Sequence, residues 1–294
     1  MSQDQGMPKF HQPATNAPTT ICLTFDVDTI SIWAGAADAT AFSRGEFGVV
    51  GTRRILRLLA ERGIHGTFFV PGLTARTYPE LMTEIVAAGH EIGHHGDFHE
   101  SPARLDRDAE REVLAAGTAT LERIAGVTPV GWRSPAWFVS PHSIELLLEA
   151  GFSYDSSLMG HDVQPYWCRT GDSWGRGQEV AFGDPCDLVE LPIAWHLDDF
   201  PWFEYIPPKG GNMTAPSTVL EVWRGDFDFA HHREPGGTLT YTMHPQVIGR
   251  GHRMLMLEAF IDHVQAQDNV RFMPLDQVAT EWRRDQGSLS TSMS

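Results

Sequence analysis

From residue 21 to residue 284 this chain alternates short β-like apolar runs with amphipathic helical patterns, and no other feature restricts its folding as strongly. Residues 21–25, 66–70, 90–93, 152–154, 188–191, 238–243 and 270–272 read as strands, and 132–137 as a strand end. Between them, Ile55, Leu58 and Leu59 share a helical face in residues 51–62 that Gly63 terminates. Thr77, with Pro79 and Glu80, has the form of a capping box for a helix to Ala88. Asp106 caps a helix to Ala125, and Ser140-Pro141 opens one that Gly151 closes. Two more helices are expected at residues 254–265 and 275–284. Strands separated by helices run parallel through right-handed crossovers. The expectation is an α/β fold, one domain whose strands close or nearly close into a barrel, for which 294 residues is an ordinary length.

One stretch breaks the rhythm. Residues 156–217 show little periodicity and hold Trp167, Trp174, Trp195, Phe200, Trp202 and Phe203 among prolines and glycines. An irregular lid or interface loop is expected there. The ends are polar: a flexible arm over 1–19 and a serine-rich, disordered tail over 286–294 are expected, flanking a domain over 20–285.

Composition narrows the partners. With 41% hydrophobic and 20% charged residues the chain has the make-up of a soluble globular protein. Its net charge of −16 argues against nucleic acid or an anionic membrane as partner. Cys22, Cys168 and Cys186 are odd in number and lack metal-ligand spacing, so neither a disulfide framework nor a zinc finger is suggested. The arm has no apolar segment of the secretory type, and no run approaches the ~18 apolar residues of a membrane span, so a cytoplasmic location is expected.

The chemistry gathers at predicted strand ends. Asp26 and Asp28, two residues apart in a β-like run, point to the same side of a strand. His95 and His99, four apart, would share one face of a helical turn and reach one point. One carboxylate and two imidazoles can hold a divalent metal, with a second carboxylate left over for proton transfer. Arg133, Asp155 and His244 also fall at or just after strand ends, the active-site face of an α/β barrel. Each has a plainer reading alone: the histidine pair a solvated helix face, Asp28 a helix N-cap, Arg133 a salt-bridge partner, His244 a core histidine and Asp155 a turn cap. Their convergence on one face weighs against those readings. His94 leaves the face shared by His95 and His99 and is read as a packing residue.

These residues resemble the polysaccharide deacetylase superfamily, also called NodB-homology or carbohydrate esterase 4. The resemblance covers about residues 21–285. It rests on Thr24-Phe25-Asp26-Val27-Asp28, on His95-Gly96-Asp97-Phe98-His99 after Gly89-His90-Glu91-Ile92-Gly93, on Trp132-Arg133-Ser134-Pro135 and on the run from Leu239 to His244. The aspartates are spaced rather than adjacent, and a Pro-x-x-Gly-Arg-like run spans Pro245 to Arg250. Both features resemble a branch of peptidoglycan-deacetylase-like, cyclic-imidase-like and allantoinase-like proteins.

The resemblance implies a distorted (β/α)7-type barrel. It implies that Asp28, His95 and His99 hold a divalent metal, with zinc first by ligand type and cobalt or nickel as alternatives. It implies Asp26 as base, Arg133 as the residue orienting it, and His244 as acid, with Asp155 the first candidate to orient His244 and Asp198 or Asp199 competing. Trp137, Trp202 and Asp199 are candidate substrate contacts. The implied reaction is hydrolysis of a non-peptide amide: an N-acetylated amino sugar or glycan, or a small cyclic imide or ureide. A catalytically silent binding barrel is the reading from another class. A homo-oligomer, tetrameric by resemblance, completes the expectation.

Overall fold

The first strand, β1 (Thr19–Asp26), is buried along its whole length, as a strand packed on both faces must be. The structure is a computed structural model describing residues 17–35, 39–206 and 210–286. The expected arm and tail lie for the most part outside the described residues. At the inner edges, Thr19 already belongs to β1 and Gln286 still belongs to the last helix.

The chain order continues as β2 (Thr67–Val70), β3 (Glu91–His94), β4 (Gly131–Trp132), β5 (Tyr154–Asp155), β6 (Tyr166–Thr170) and β7 (Asp184–Glu190). A small hairpin of β8 (Tyr205–Ile206) and β9 (Gly210–Gly211) precedes β10 (Thr238–Met243) and β11 (Val270–Phe272). In space the main sheet runs β10-β1-β2-β3-β4-β5-β7-β6, with β11 also against β1. From β10 to β7 every neighbouring pair is parallel, giving the seven parallel strands that the barrel expectation requires. The barrel is incomplete. Two single contacts span the gap beside β10: the Thr238 amide donates to the Val163 carbonyl at 2.8 Å, and Asp198 bridges Thr242.

Helices cover the sheet: α1 (Ala39–Arg62), α2 (Gly72–Thr77), α3 (Pro79–Ala87), α4 (Arg107–Ala125), α5 (Ser143–Glu149), α6 (Asp199–Phe203), α7 (Pro216–Arg233), α8 (Pro245–Ile248), α9 (Gly251–Gln265) and α10 (Leu275–Gln286). The largest core joins Ile21, Leu23 and Phe25 of β1 to Ile55 and Leu59 of α1 and Trp223 and Phe227 of α7. Among the described residues no helix is long and apolar enough to cross a membrane.

Four sequence expectations change. Helix α1 begins at Ala39 rather than at residue 51 because Gly45 and Gly51, weak helix formers, are there for close approach. A Cβ at Gly45 would overlap the Thr29 carbonyl, and one at Gly51 the Pro245 carbonyl. Thr77 caps nothing; it ends α2, and its hydroxyl donates back to the Leu73 carbonyl at 2.7 Å. Residues 156–217 are not irregular throughout. The antiparallel β6–β7 hairpin extends the main sheet; β7 contains most of the strand expected at 188–191, whereas β6 was hidden because Tyr166 and Trp167 place apolar side chains on both faces. Finally, α7 had no counterpart in the sequence reading, although Val219, Trp223, Phe227 and Ala230 form a buried stripe at helical spacing.

Candidate active site

Strand β1 delivers Asp26 at its last residue and Asp28 two residues later, both buried. The Asp28 backbone is fixed where its carbonyl accepts from the Ser31 amide (2.9 Å) and the Thr74 hydroxyl (2.7 Å). Its Oδ1 lies 3.4 Å from His95 Nε2 and 3.5 Å from His99 Nε2. That oxygen is buried without a hydrogen-bond donor. A buried carboxylate oxygen with no donor is costly unless something positive meets it. His95 Nδ1 lies 2.8 Å from the Arg133 carbonyl, which can only accept, so Nδ1 carries the proton and Nε2 presents a lone pair. Burial, and then His95 nearby, push His99 down to about 4 against the pull of Asp28, so His99 is neutral near pH 7. Burial opposes ionisation of Asp28, yet the surrounding imidazoles of His99, His95 and His244 hold it well below the usual carboxylate range. One carboxylate oxygen and two imidazole nitrogens, mutually within 4.8 Å, are a donor set that fits a divalent ion.

The histidines do not sit on a helical turn as their spacing suggested. His99 and Gly96 adopt left-handed backbone angles, φ 63° and 76°. The amides of Asp97 and Phe98 donate to the Glu100 carboxylate rather than into a helix (3.0 and 2.8 Å). The carbonyls of Gly96 and Asp97 accept from the first amides of α2 (3.1 and 2.6 Å), and Arg76 grips the Asp97 carboxylate. The loop is thus clamped, and His95 and His99 meet at 5.0 Å between ring centroids. His94, buried and pushed down to about 3 by that burial, is used in packing: Nε2 meets the Leu114 carbonyl and Nδ1 accepts from the Gly96 amide.

Arg133, fully buried, follows β4 and reaches across to β1. Its Nη1 donates to Asp26 Oδ1 (2.9 Å) and to Thr24 Oγ1 (2.8 Å). Nε and Nη2 take the carbonyl and hydroxyl of Ser156, and the guanidinium lies over the Phe69 ring at 4.3 Å. With Oδ1 engaged, Asp26 turns Oδ2 toward the cleft, 3.8 Å from His95 Nε2 and 4.0 Å from His244 Nε2.

His244 follows β10, with Nε2 3.7 Å from Asp28 Oδ2. Its Nδ1 pairs with Asp199 Oδ1 at 2.8 Å, and the same oxygen accepts the His244 amide at 3.0 Å. Asp198 Oδ1 lies 3.4 Å from Nδ1 and also caps α6 by accepting from the Phe200 amide. Burial disfavours a charged ring here, but Asp198 and Asp199 overcome it and hold His244 well above the usual histidine range. Asp198, Asp199 and His244 form a second group close enough for an ion; here His244 Nδ1 is taken up by the two carboxylates, and Asp199 Oδ2 is buried without a hydrogen-bond donor.

Six sequence-predicted residues therefore converge: Asp26, Asp28, His95, His99, Arg133 and His244. Four others are corrected. Asp155 does not bond His244; its Oδ1 accepts from Ser157 Oγ at 2.6 Å, and it stands in register with Glu190. Burial pushes Asp155 up to about 6 and holds Glu190 well above the usual carboxylate range. Asp199, expected against substrate or as a competitor to orient His244, is fully buried behind His244 and pairs with its Nδ1. Trp202 faces the protein, its indole N–H donating to the His196 carbonyl at 3.0 Å while the ring packs on the main core. Trp137 stacks on Trp195 at 4.3 Å and lines a separate cavity of about 500 Å³. Thr24, Phe69, Ser156 and Gln246 touch the site without having been singled out. Gln246, whose Nε2 lies 3.4 Å from Asp28 Oδ2, is two residues beyond His244 and could have been suspected from that position.

Comparison with known proteins identifies the family. The polysaccharide deacetylase family profile matches residues 14–154. A peptidoglycan deacetylase of Helicobacter pylori is 33% identical over 274 residues, 87% of this chain and 94% of its own length. A Mycobacterium smegmatis structure, provisionally described as a polysaccharide deacetylase, is 36% identical with a TM-score of 0.85 over 97% of each chain. An allantoinase structure shares the fold at 22% identity, with a TM-score of 0.77 over 94% of each chain. The chain belongs to the polysaccharide deacetylase family, hydrolases of carbon–nitrogen bonds other than peptide bonds.

Proposed function

We propose that the protein is a metal-dependent N-deacetylase of N-acetylated amino sugars. The observation that carries this reading is the facing of Asp26 Oδ2 and His244 Nε2, 4.0 Å apart, beside the Asp28–His95–His99 triad. The triad would hold the ion, zinc first by ligand type. Such an ion lowers the pKa of a bound water to about 7 and draws charge from the amide oxygen.

The chain's own residues supply the proton transfers. Asp26 Oδ2 takes the proton of the attacking water, while Arg133 holds Oδ1 and keeps the free oxygen aimed at the cleft. His244 Nε2 gives a proton to the departing nitrogen, since an amine anion cannot leave into water. Asp199 holds Nδ1, which fixes the ring and favours the protonated form needed for donation. The complete set argues against a silent binding barrel. Exposed Phe138, Trp174 and Trp195 support self-association, to be read from the solution mass.

The test is to assay protein of measured metal content on N-acetylglucosamine, its oligomers and a cyclic imide. Release of acetate from the sugars, abolished by chelation and restored by zinc, is expected. Turnover of the imide alone would replace this reading with that of a small-amide hydrolase.

A further inference from the structure

Beside the triad lies a cavity of about 320 Å³ between the Ser31–Trp33 turn, α6 and the end of α8. Its walls include Arg44, Arg250 and Arg253 against one carboxylate, Glu204. Three guanidinium groups facing one carboxylate leave local positive charge, in a chain whose net charge is −16. Arg44 pairs with Glu204 and donates to the Tyr205 carbonyl. Arg253 fixes the wall by donating to the carbonyls of Val247 (2.9 Å) and Phe203 (3.1 Å). Arg250 differs: it lies on the Phe47 ring at 3.5 Å, and no hydrogen bond or ion pair to it is found among the described residues. Burial, with Arg44 and Arg54 nearby, lowers its proton affinity despite Glu204.

The cavity adjoins the catalytic groups through the chain itself. Gln246, one of its lining residues, also meets Asp28 Oδ2 at 3.4 Å. Trp33 follows Asp28 by five positions, Phe203 follows Asp199 by four, and Arg250 follows His244 by six. An arginine with no hydrogen-bond or ion-pair partner among the described residues, backed by an aromatic ring, presents the planar fork that suits a carboxylate or a phosphate. The aromatic cavity beside Trp137 offers no such group, because its Arg169 is already paired with Asp172.

We infer that this cavity is a subsite for an anionic substituent of the substrate, carboxylate or phosphate, and that Arg250 is the residue that reads it. This deepens the deacetylase reading and rests on it: the favoured substrate would be an N-acetylated amino sugar that also carries negative charge.

The experiment compares kcat/KM for N-acetylglucosamine, N-acetylglucosamine 6-phosphate and N-acetylmuramic acid, in the wild type, Arg250→Leu and Arg250→Lys. The wild type is expected to prefer one of the charged sugars by about tenfold or more, the usual scale of a charged hydrogen bond. Which sugar is preferred separates phosphate from carboxylate. Arg250→Leu should bring that ratio to within about threefold of unity, leave the neutral sugar within about threefold of wild type, and keep the melting temperature; Arg250→Lys should retain part of the preference. No preference in the wild type, or one that survives in Arg250→Leu, overturns the inference. If none of the sugars is turned over, the deacetylase reading is what fails. The subsite is then judged by calorimetric binding of the same three sugars: a charged-over-neutral ratio lost in Arg250→Leu upholds it, and equal affinities overturn it.

Discussion

The two sides of the catalytic cleft place the same side chain in opposite proton states. On one side His99 meets a single carboxylate, Asp28, already shared with His95, and burial drives its proton off. On the other side His244 is as deeply enclosed, but Asp198 and Asp199 both stand at its Nδ1, and together they reverse the effect of burial. The number of carboxylates per ring, rather than depth, decides which imidazole can donate electrons to an ion and which can donate a proton.

The largest break in that comparison comes from the electron-donating side. Asp28→Asn removes the anionic oxygen shared by both histidines. Metal analysis after dialysis should find the protein depleted, and turnover should drop beyond the ~10⁴-fold ceiling of a single acid or base. His244→Asn strikes the proton-donating side alone: metal content should stay at the wild-type level while kcat falls about 10²–10⁴-fold. A variant that turns over within about threefold of wild type would remove His244 from the acid role.

Asp199→Asn is gentler, because it keeps the shape and leaves Asp198 in place. A loss of about 10- to 100-fold in kcat, with metal retained, is expected from the weakened charged hydrogen bond. The parallel variant Asp155→Asn serves as the contrast, since Asp155 bonds Ser157 and not His244, and it should leave metal content unchanged.

The smallest effect sharpens the comparison from outside the cleft. Glu91 accepts from Tyr154 and Thr67 and forms no ion pair among the described residues, and burial, followed by the charge of Asp276, pushes it up to about 7 from 4.5. The folded form therefore keeps this proton longer than the unfolded chain. Its contribution is complete below about pH 4.5 and is lost as the pH rises through about 7, a change of about 3 kcal/mol at most. Denaturant melts between pH 5 and 8 should show stability falling with pH on this account, and Glu91→Gln should flatten that slope. An unchanged slope in the variant would assign it to other groups.

Much of this was legible in the residues, for identifiable reasons. In an α/β barrel the C-terminal strand ends form the site face, so Asp26, Asp28, Arg133 and His244 stood out against apolar runs, although Asp155, which ends β5 in the same way, bonds Ser157 instead. The histidine spacing gave the right pair through the wrong geometry, because the left-handed angles at Gly96 and His99 depend on partners in α2 and at Glu100. The orienting acid was misassigned to Asp155 because the choice between Asp155 and Asp199 is a long-range matter. It follows from Asp198 bridging Thr242 beside β10, a contact that spans the gap in the barrel. Helix α1 was read short because glycines needed for close approach look like breakers in one dimension.

Those glycines have a consequence for how the enzyme can change over time. The turn after Asp28 rests on Gly45, and the segment after His244 rests on Gly51, two bare patches of the same helix. The electron-donating and proton-donating sides thus share one footing, six residues apart along a rigid rod. Cleft walls can drift with new substrates, but the separation between the Asp28 turn and the His244 segment is gauged by that rod. Adaptation is channelled into what the cleft recognises, and away from how it cuts.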